Sequence, residues 1–560
     1  MRWARGLLRK NPLRLAREVW AAECNGYPWY ELIAHVLEHG LAVTHPDQRP
    51  EPFDMPNHGS CAQGNAHALA SAIIAAEFAE GLISQPPPGV RHECRWIHPL
   101  GCVPKGADAV RVIHDFSSPA GQSVNDRIDY APLSFDKVDA AFAVLRLCMF
   151  MAKIDIRAFF RHIPMDPADW GLLDFRWDGV LYVDMRLNFG ARNAPEVAAR
   201  FSYAVLWAVH RRLARMGGPL VHVFVVCDDW LILSACRDAC ARAWRMVQDL
   251  LLRLGFALSE RKLIAPTQRI LWLWLELDST LMTVRLPADK VAKALASVRA
   301  VGAAASVTRR ELDSVFGYLS FCSGVVYGGR AFLHGVRRLR FRNRDPRAPP
   351  LLAHERVAVD PGLRADMAWW SENLELFNGD RRAKLVSQSA EHRVLGIQLD
   401  VRGGDGGVGV WFDGAFIGLT CAECNARYPA GGTLVSPGAW VPASGAGNHW
   451  EMFAFCVLLD LFGDLLVGQY VEVESDSMSA IKCVCELSAA LDSPQLAALT
   501  RTFLGQCVRL NMRVLPLHVA GVDNVLADPL SRDDYPRFGR EARAWLWRHR
   551  GERSAFLAQL

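Results

Sequence analysis

The run Val223-Phe-Val-Val-Cys-Asp-Asp-Trp-Leu-Ile-Leu233 is almost unbroken in β-branched and apolar residues, interrupted only by Asp228 and Asp229. Such a run predicts a buried strand–turn–strand hairpin with both carboxylates at its tip. Two adjacent acids repel each other and lose water there, so a divalent cation is the expected partner. An exposed Asp-Asp turn is the plain alternative. A second apolar segment, Met151-Ala-Lys-Ile-Asp155-Ile-Arg-Ala-Phe-Phe160, also contains one acid, followed by Arg161-His-Ile-Pro-Met165. Two strands that bring Asp155, Asp228 and Asp229 to one point suit two metal ions about 3.5–4 Å apart, as phosphoryl transfer requires.

The pattern changes along the chain. Residues 287–345 are rich in Ala, Leu, Val and Arg at helical spacing. The last third returns to strands that end in acids. Val394-Leu-Gly-Ile-Gln-Leu-Asp400 and Val471-Glu-Val-Glu-Ser-Asp476 are two of them. Between these, Asn448-His-Trp-Glu451 opens an apolar helical stretch, and Asp528 follows in Asn524-Val-Leu-Ala-Asp528. Four acids from separate elements fit a second two-metal site, with water as nucleophile. The cluster Gly403-Gly-Asp-Gly-Gly407 lengthens the turn after Asp400, so Asp405 competes for its place. It lacks the Lys-Ser/Thr of a phosphate loop and reads as a β-hairpin.

The order of these segments resembles retroelement reverse transcriptases. Asp155 with Phe160 and His162-Ile-Pro164 looks like the first palm motif, and Val226-Cys-Asp-Asp229 like the second, usually Tyr-x-Asp-Asp. Val103-Pro-Lys105 with Arg111-Val-Ile-His-Asp115 resembles the fingers motif. Leu187-Asn-Phe-Gly190 with Ala194-Pro195 resembles the segment near template and incoming nucleotide. Leu254-Gly-Phe256, Lys262, Pro266 and Gln268 continue the order. His518-x-x-Gly-x-x-Asn524-x-x-Ala-Asp528-x-Leu-Ser-Arg532 looks like the end of a retroelement RNase H domain. Trp230, Gly328-Gly-Arg330-Ala-Phe-Leu333, Met367-Ala-Trp-Trp370 and Asn378-Gly379 are most similar to DIRS-like (tyrosine-recombinase) retrotransposons.

The resemblance implies an α+β and α/β multidomain chain: a right-hand polymerase, a connection, and an RNase H-like mixed sheet with helices. The expected boundaries are 1–85 without a readable role, 86–280 fingers and palm, 281–345 thumb, 346–390 connection, 391–535 RNase H-like and 536–560 tail. It implies an RNA-directed DNA polymerase with RNase H activity, using two Mg²⁺ (or Mn²⁺) per active site. Asp155, Asp228 and Asp229 are then the polymerase metal ligands, and Asp400, Glu451, Asp476 and Asp528 those of the hydrolase. Lys105 and Arg111 hold the triphosphate, Gly190 lies near the nucleotide, and Phe160 is the ring that excludes a 2′-hydroxyl. The expected partners are RNA template, DNA primer, RNA/DNA hybrid and deoxynucleoside triphosphates, with other element-encoded proteins (a recombinase, a capsid protein) beside them. Three departures stand out: Val226 for Tyr, Asn188 for Pro, and Trp274 for a glycine in the turn Trp272-Leu-Trp274, which grips the primer in the family. That turn is expected to differ from the family's and to pack Trp274 on the thumb. The departures keep open an alternative, a transposon-derived hybrid-binding protein with impaired catalysis.

Composition refines this only locally. A net charge of +4 over 560 residues is too weak for a whole-molecule field, so nucleic-acid binding falls to local patches. The clearest is Arg337-Arg-Leu-Arg-Phe-Arg-Asn-Arg344, which makes Arg337, Arg338, Arg340 and Arg342, with Arg330, candidate phosphate contacts; a solvated basic linker is the alternative. Fifteen scattered cysteines with one Cys421-x-x-Cys424 pair predict no zinc ribbon and suit a reducing, cytoplasmic or nuclear, compartment. No membrane span is expected. The basic Met1–Lys10 segment reads as a nucleic-acid-facing arm or a fragment end rather than a targeting peptide.

Overall fold

A computed structural model describes residues 6–44, 48–86, 95–105, 108–129, 138–340, 352–380, 393–402, 406–412, 415–439, 447–487 and 493–548. Helices and several sheets alternate through a mixed α+β chain. It folds as two compact units. The first is Met1–Leu273 with Leu277–Met282, and the second is Trp274–Glu276 with Thr283–Leu560.

In the first unit the helices α1 (Arg17–Cys24), α2 (Tyr30–His39) and α3 (Ala66–Ala79) precede a hairpin of β1 (Leu100–Pro104) and β2 (Val110–His114). The central sheet follows: β3 (Phe150–Asp155), helix α4 (Ala194–Met216), β4 (Val221–Val226), β5 (Asp229–Ser234), helix α5 (Arg237–Arg253) and β6 (Ile264–Thr267). Its order is β6-β3-β5-β4, with every pair antiparallel. β5 is central and buried on both faces, which is why Trp230 to Leu233 show no polar alternation. Helix α5 puts Ala239, Ala243, Val247, Leu250 and Leu251 on one side, a 3.6-residue stripe against the sheet. It stops at Gly255, whose φ of +94° permits the Phe256 N–H to reach back to the Leu251 carbonyl.

Residues 1–85 have no motif in the sequence, yet residues 13–43 of this stretch join the core. Leu13, Trp20, Ile33 and Val36 pack with Ile154, Trp230 and Phe256. The indole of Trp20 donates to the Leu254 carbonyl (3.0 Å), and buried Asn11 donates to that of His162 (2.8 Å). A Cβ on Gly255 would come within 2.6 Å of the Pro12 carbonyl oxygen, so the glycine also lets this segment approach.

The second unit opens with helices α6 (Ala288–Ala303), α7 (Arg309–Cys322), α8 (His334–Arg340) and α9 (Pro361–Phe377). Thr308 and Glu311 form a reciprocal capping box on α7, and Asp360 caps α9. The sheet then runs β7 (Arg393–Arg402), β8 (Gly407–Phe412) and β9 (Ala415–Leu419). It continues with helix α10 (Gly447–Phe462), β10 (Tyr470–Ser475), helices α11 (Met478–Glu486) and α12 (Pro494–Arg509), β11 (Arg513–His518), and helices α13 (Ala527–Ser531) and α14 (Tyr535–Arg548). The order is β9-β8-β7-β10-β11, antiparallel on the β9 side and parallel on the β11 side, as the mixed-sheet expectation requires. The glycine-rich stretch joins β7 to β8 as a hairpin; residues 403–405, with Asp405, lie outside the described residues.

The glycines of β8 do more than turn the chain. A Cβ on Gly409 would overlap the Ala527 carbonyl oxygen and crowd the Ser531 nitrogen at 2.6 Å. Bare backbone on β8 therefore lets α13, which carries Asp528, lie directly on the sheet. Gly409→Ala is expected to cost about 2 kcal/mol in urea unfolding, as overpacking against backbone does. A cost below a few tenths would show that α13 is not seated there.

Candidate active sites

The β4–β5 tip is a two-residue turn closed by pairing of Val226 with Asp229. Cys227 takes φ +53°, which non-glycine residues rarely adopt, and two bonds hold it. Ser202 Oγ donates to the Cys227 carbonyl (2.6 Å), and the Ile156 N–H donates to that of Asp228 (3.1 Å). Asp229 lies directly opposite Asp155 across the β5–β3 ladder, so both project to the same face. Lys262 Nζ sits 3.0 and 2.9 Å from the Asp155 oxygens. Lys153 Nζ sits 3.1 and 3.2 Å from those of Asp229. Burial pushes Asp228 up from the usual carboxylate range, and the charge of Asp155 adds to it. Burial likewise pushes Asp229 up to about 6, against the pull of Lys153.

Asp155, Asp228 and Lys262 open onto one cavity of about 580 Å³ within the first unit. Asp155 and Asp228 line it together with Lys105, Arg111 and Phe160, residues far apart in sequence. Asp229 is not among its lining residues. Lys105 and Arg111 are exposed on the β1–β2 hairpin, whose loop closes through the Lys105 N–H to the Ala109 carbonyl (2.7 Å). Phe160 packs 5.2 Å from Phe189, and the Arg111 guanidinium lies 5.3 Å over the Phe189 ring. Gly190 sits behind this wall, where any Cβ would overlap the His114 carbonyl oxygen. Arg157 and Glu77 also line the cavity, and sequence reading had singled out neither.

In the second unit, acids from separate elements again meet. Asp400 on β7 is buried; it accepts from Ser531 Oγ (2.6 Å) and Asn524 Nδ2 (3.2 Å). Burial pushes it up to about 7, and the charges of Asp476 and Asp528 add to the shift. Glu451 on α10 is pushed up to about 8 by burial, then by Asp476 and Asp400. Asp528 is held by Arg532 and Arg537, each at 2.6 Å. His518 ends β11 beside Ser475 and is exposed.

A carboxyl raised in the folded state favours folding fully below the unfolded pKa of about 4, and that contribution is lost as pH rises through its folded value. In EDTA, Tm should therefore fall by several degrees between pH 5 and pH 8.5, following Asp400 and Glu451. A divalent cation should restore Tm at pH 8 and leave it nearly unchanged at pH 5. A pH-independent Tm in EDTA would mean that burial and the neighbouring charges do not raise these two carboxyls.

Both donor sets are all-oxygen, which suits a hard cation such as Mg²⁺ or Mn²⁺. Among the described residues no three His, Cys, Asp or Glu side chains adopt a metal-holding arrangement. In the first unit Lys262 and Lys153 occupy the carboxylates instead. Cys421 and Cys424 are free thiols, and Cys424 is buried.

In the described part of the basic run, two arginines have acidic partners. Arg338 pairs with Asp360, and Arg340 pairs with Asp313 (2.6 Å) and stacks on Phe316. Both arginines staple α8 to neighbouring helices, where the sequence suggested phosphate contacts. Arg330 is exposed, Arg337 is half-buried, and Arg342 lies outside the described residues. Leu273 and Trp274 have φ of +47° and +67°, so the turn carries the strain that a bulky residue brings there. Trp274 is 65% exposed, with the Lys290 ammonium 4.6 Å over its ring. It touches α6 through that contact rather than packing on it as expected.

Residues 113–275 match the family model described as reverse transcriptase (RNA-dependent DNA polymerase). This segment is thus a reverse transcriptase domain, and it holds the Asp155–Asp228 site. No curated protein matches the chain. Among solved structures, a foamy viral protease-reverse transcriptase dRH in complex with double-stranded DNA is similar at 14% identity and TM-score 0.49, over 90% of this chain and 82% of that one. The foamy viral protease-reverse transcriptase with double-stranded DNA aligns at 14% identity and TM-score 0.47, over 90% and 97%. The same protein with an RNA/DNA hybrid aligns at 15% and 0.48, over 90% and 63%.

Proposed function

We propose that the chain is an RNA-directed DNA polymerase joined to an RNase H, with the two sites on separate units. The observation that carries the reading is the single cavity shared by Asp155, Asp228, Lys105, Arg111 and Phe160. Lys105 and Arg111, on the hairpin, bind and orient the triphosphate, and Arg157 and Lys262 add positive charge along the same wall. Phe160 lies beneath the sugar and rejects a 2′-hydroxyl. Asp155 and Asp228 would hold two Mg²⁺ ions; when bound, these activate the primer 3′-hydroxyl and neutralise the leaving pyrophosphate. Asp229, turned onto Lys153, contributes less. Asp400, Glu451, Asp476 and Asp528 would hold the metal pair that cleaves the RNA strand of a hybrid. RNA template, DNA primer and deoxynucleoside triphosphates are the partners in this reading, inside the cell. Its finer placement among DIRS-like retrotransposons, with a recombinase or capsid protein as partner, rests on the sequence motifs alone.

The lysines already seated on Asp155 and Asp229 favour a second reading, a hybrid-binding protein with impaired catalysis. Primer extension by the purified chain on an RNA template with Mg²⁺ or Mn²⁺ separates the two. Extension supports the first, and hybrid binding without extension supports the second. Within the first reading, Phe160→Ala should raise ribonucleotide relative to deoxyribonucleotide incorporation by about ten-fold or more. An unchanged ratio would make Phe160 simple packing.

A further inference from the structure

Behind the nucleotide cavity lies a buried ionic hub centred on Asp184, at the end of the short strand Val180–Asp184. Asp184 is fully buried. Its two oxygens accept from Arg161 Nη1 at 2.8 and 2.7 Å. Oδ1 also accepts the Arg186 N–H (3.1 Å), and Oδ2 accepts Asn188 Nδ2 (3.3 Å). His114 Nε2, at the end of β2, stands 3.5 Å from Oδ2. Arg161 reaches on to Glu77 Oε2 on α3 (2.7 Å). One carboxylate thus touches three pieces of the cavity wall directly and a fourth through Arg161.

Two arginines, each 5% exposed, are a costly way to fill a core. Apolar residues of the same volume would be at least as stable, so stability alone does not account for the hub. Its placement does. Arg161 directly follows Phe160, and Asn188 directly precedes Phe189. These two rings form the 5.2 Å pair that lines the cavity. Phe189 is 38% exposed and Phe160 only partly buried, so side-chain packing does not fix them from all sides. Their backbones need an anchor, and Asp184 grips the next residue of one and the preceding residue of the other.

We infer that Asp184 is a positioning residue for sugar selection: through Arg161 and Asn188 it holds the Phe160–Phe189 pair where a 2′-hydroxyl would lie. Asp184 itself does not line the cavity, so it acts only through these neighbours. This rests on the polymerase reading above. Asp184→Asn keeps the shape and removes the charge that holds the Arg161 guanidinium. A displacement of the ring pair by a fraction of an ångström relaxes discrimination, because steric exclusion is steep in distance.

The test compares kcat/KM for ribo- and deoxyribonucleotides on a fixed primer–template, with Tm measured alongside. Asp184→Asn is expected to raise the ribo-to-deoxyribo ratio by about ten-fold, and adding Phe160→Ala should raise it little further, since both act on one ring. Glu77→Gln, at the half-exposed end of the hub, should shift the ratio the same way by less, and it serves if Asp184→Asn does not fold. A hub that only supports the fold would lower both rates equally. An unchanged ratio in a folded variant therefore overturns the inference while leaving the polymerase reading intact. Absence of extension by the unaltered chain overturns that reading, and the inference with it.

Discussion

Asp228→Asn is expected to remove primer extension, by about 10³-fold or more, while the chain stays folded. The size follows from the several kcal/mol that a metal pair supplies to phosphoryl transfer, at about 1.4 kcal/mol per decade of rate. The retained fold follows from the site itself. Burial and the facing Asp155 already make the Asp228 charge unfavourable, so its removal relieves the β4–β5 tip. Tm in EDTA should hold or rise. Primer extension and a thermal melt on the same preparation check both halves. A variant that still extends primers would remove Asp228 from the metal site. An inactive variant with a collapsed melt would show that the charge serves the fold.

Glu451→Gln carries the second large effect. Cleavage of the RNA strand in a hybrid should fall by about 10²-fold or more, with DNA synthesis unchanged, because the acids proposed for synthesis lie on the other unit. The same substitution removes a carboxyl that burial holds near 8, so the pH-dependent loss of Tm in EDTA should shrink with it. Loss of both activities would mean that Glu451 supports the whole chain. Unchanged cleavage would exclude it from the hydrolytic site.

The sequence made the acids legible because each interrupts or borders an apolar run, and an acid there has few explanations besides a cation. It also marked Lys105, Arg111 and Phe160 through motif order, and the cavity brings those three together with Asp155 and Asp228. What escaped it depends on partners distant in sequence. Arg338 and Arg340 read as a free basic run because Asp360 and Asp313 lie more than twenty residues away. Arg161 looked like an ordinary charge after Phe160, since nothing local announces that Asp184 and Glu77 surround it. Gly409 carried no signal in the sequence, whereas the space of its missing Cβ is filled by the backbone of α13. Trp274 shows the opposite limit: its unusual place was visible, but exposure and a lysine over the ring were not.

The docking of Trp20 onto Leu254, across 234 positions, sets the order in which this chain can mature. Helices α1 and α2 leave the ribosome well before residues 254–256, yet the surfaces they cover are completed only once those residues have been synthesised. Until then their apolar faces stay open to solvent, to chaperones and to other nascent chains. Long sequence separation of this kind slows folding, because the closure of a large loop precedes any gain from the contact. A chain released before residue 254 should therefore aggregate or be degraded rather than accumulate as a stable half-domain.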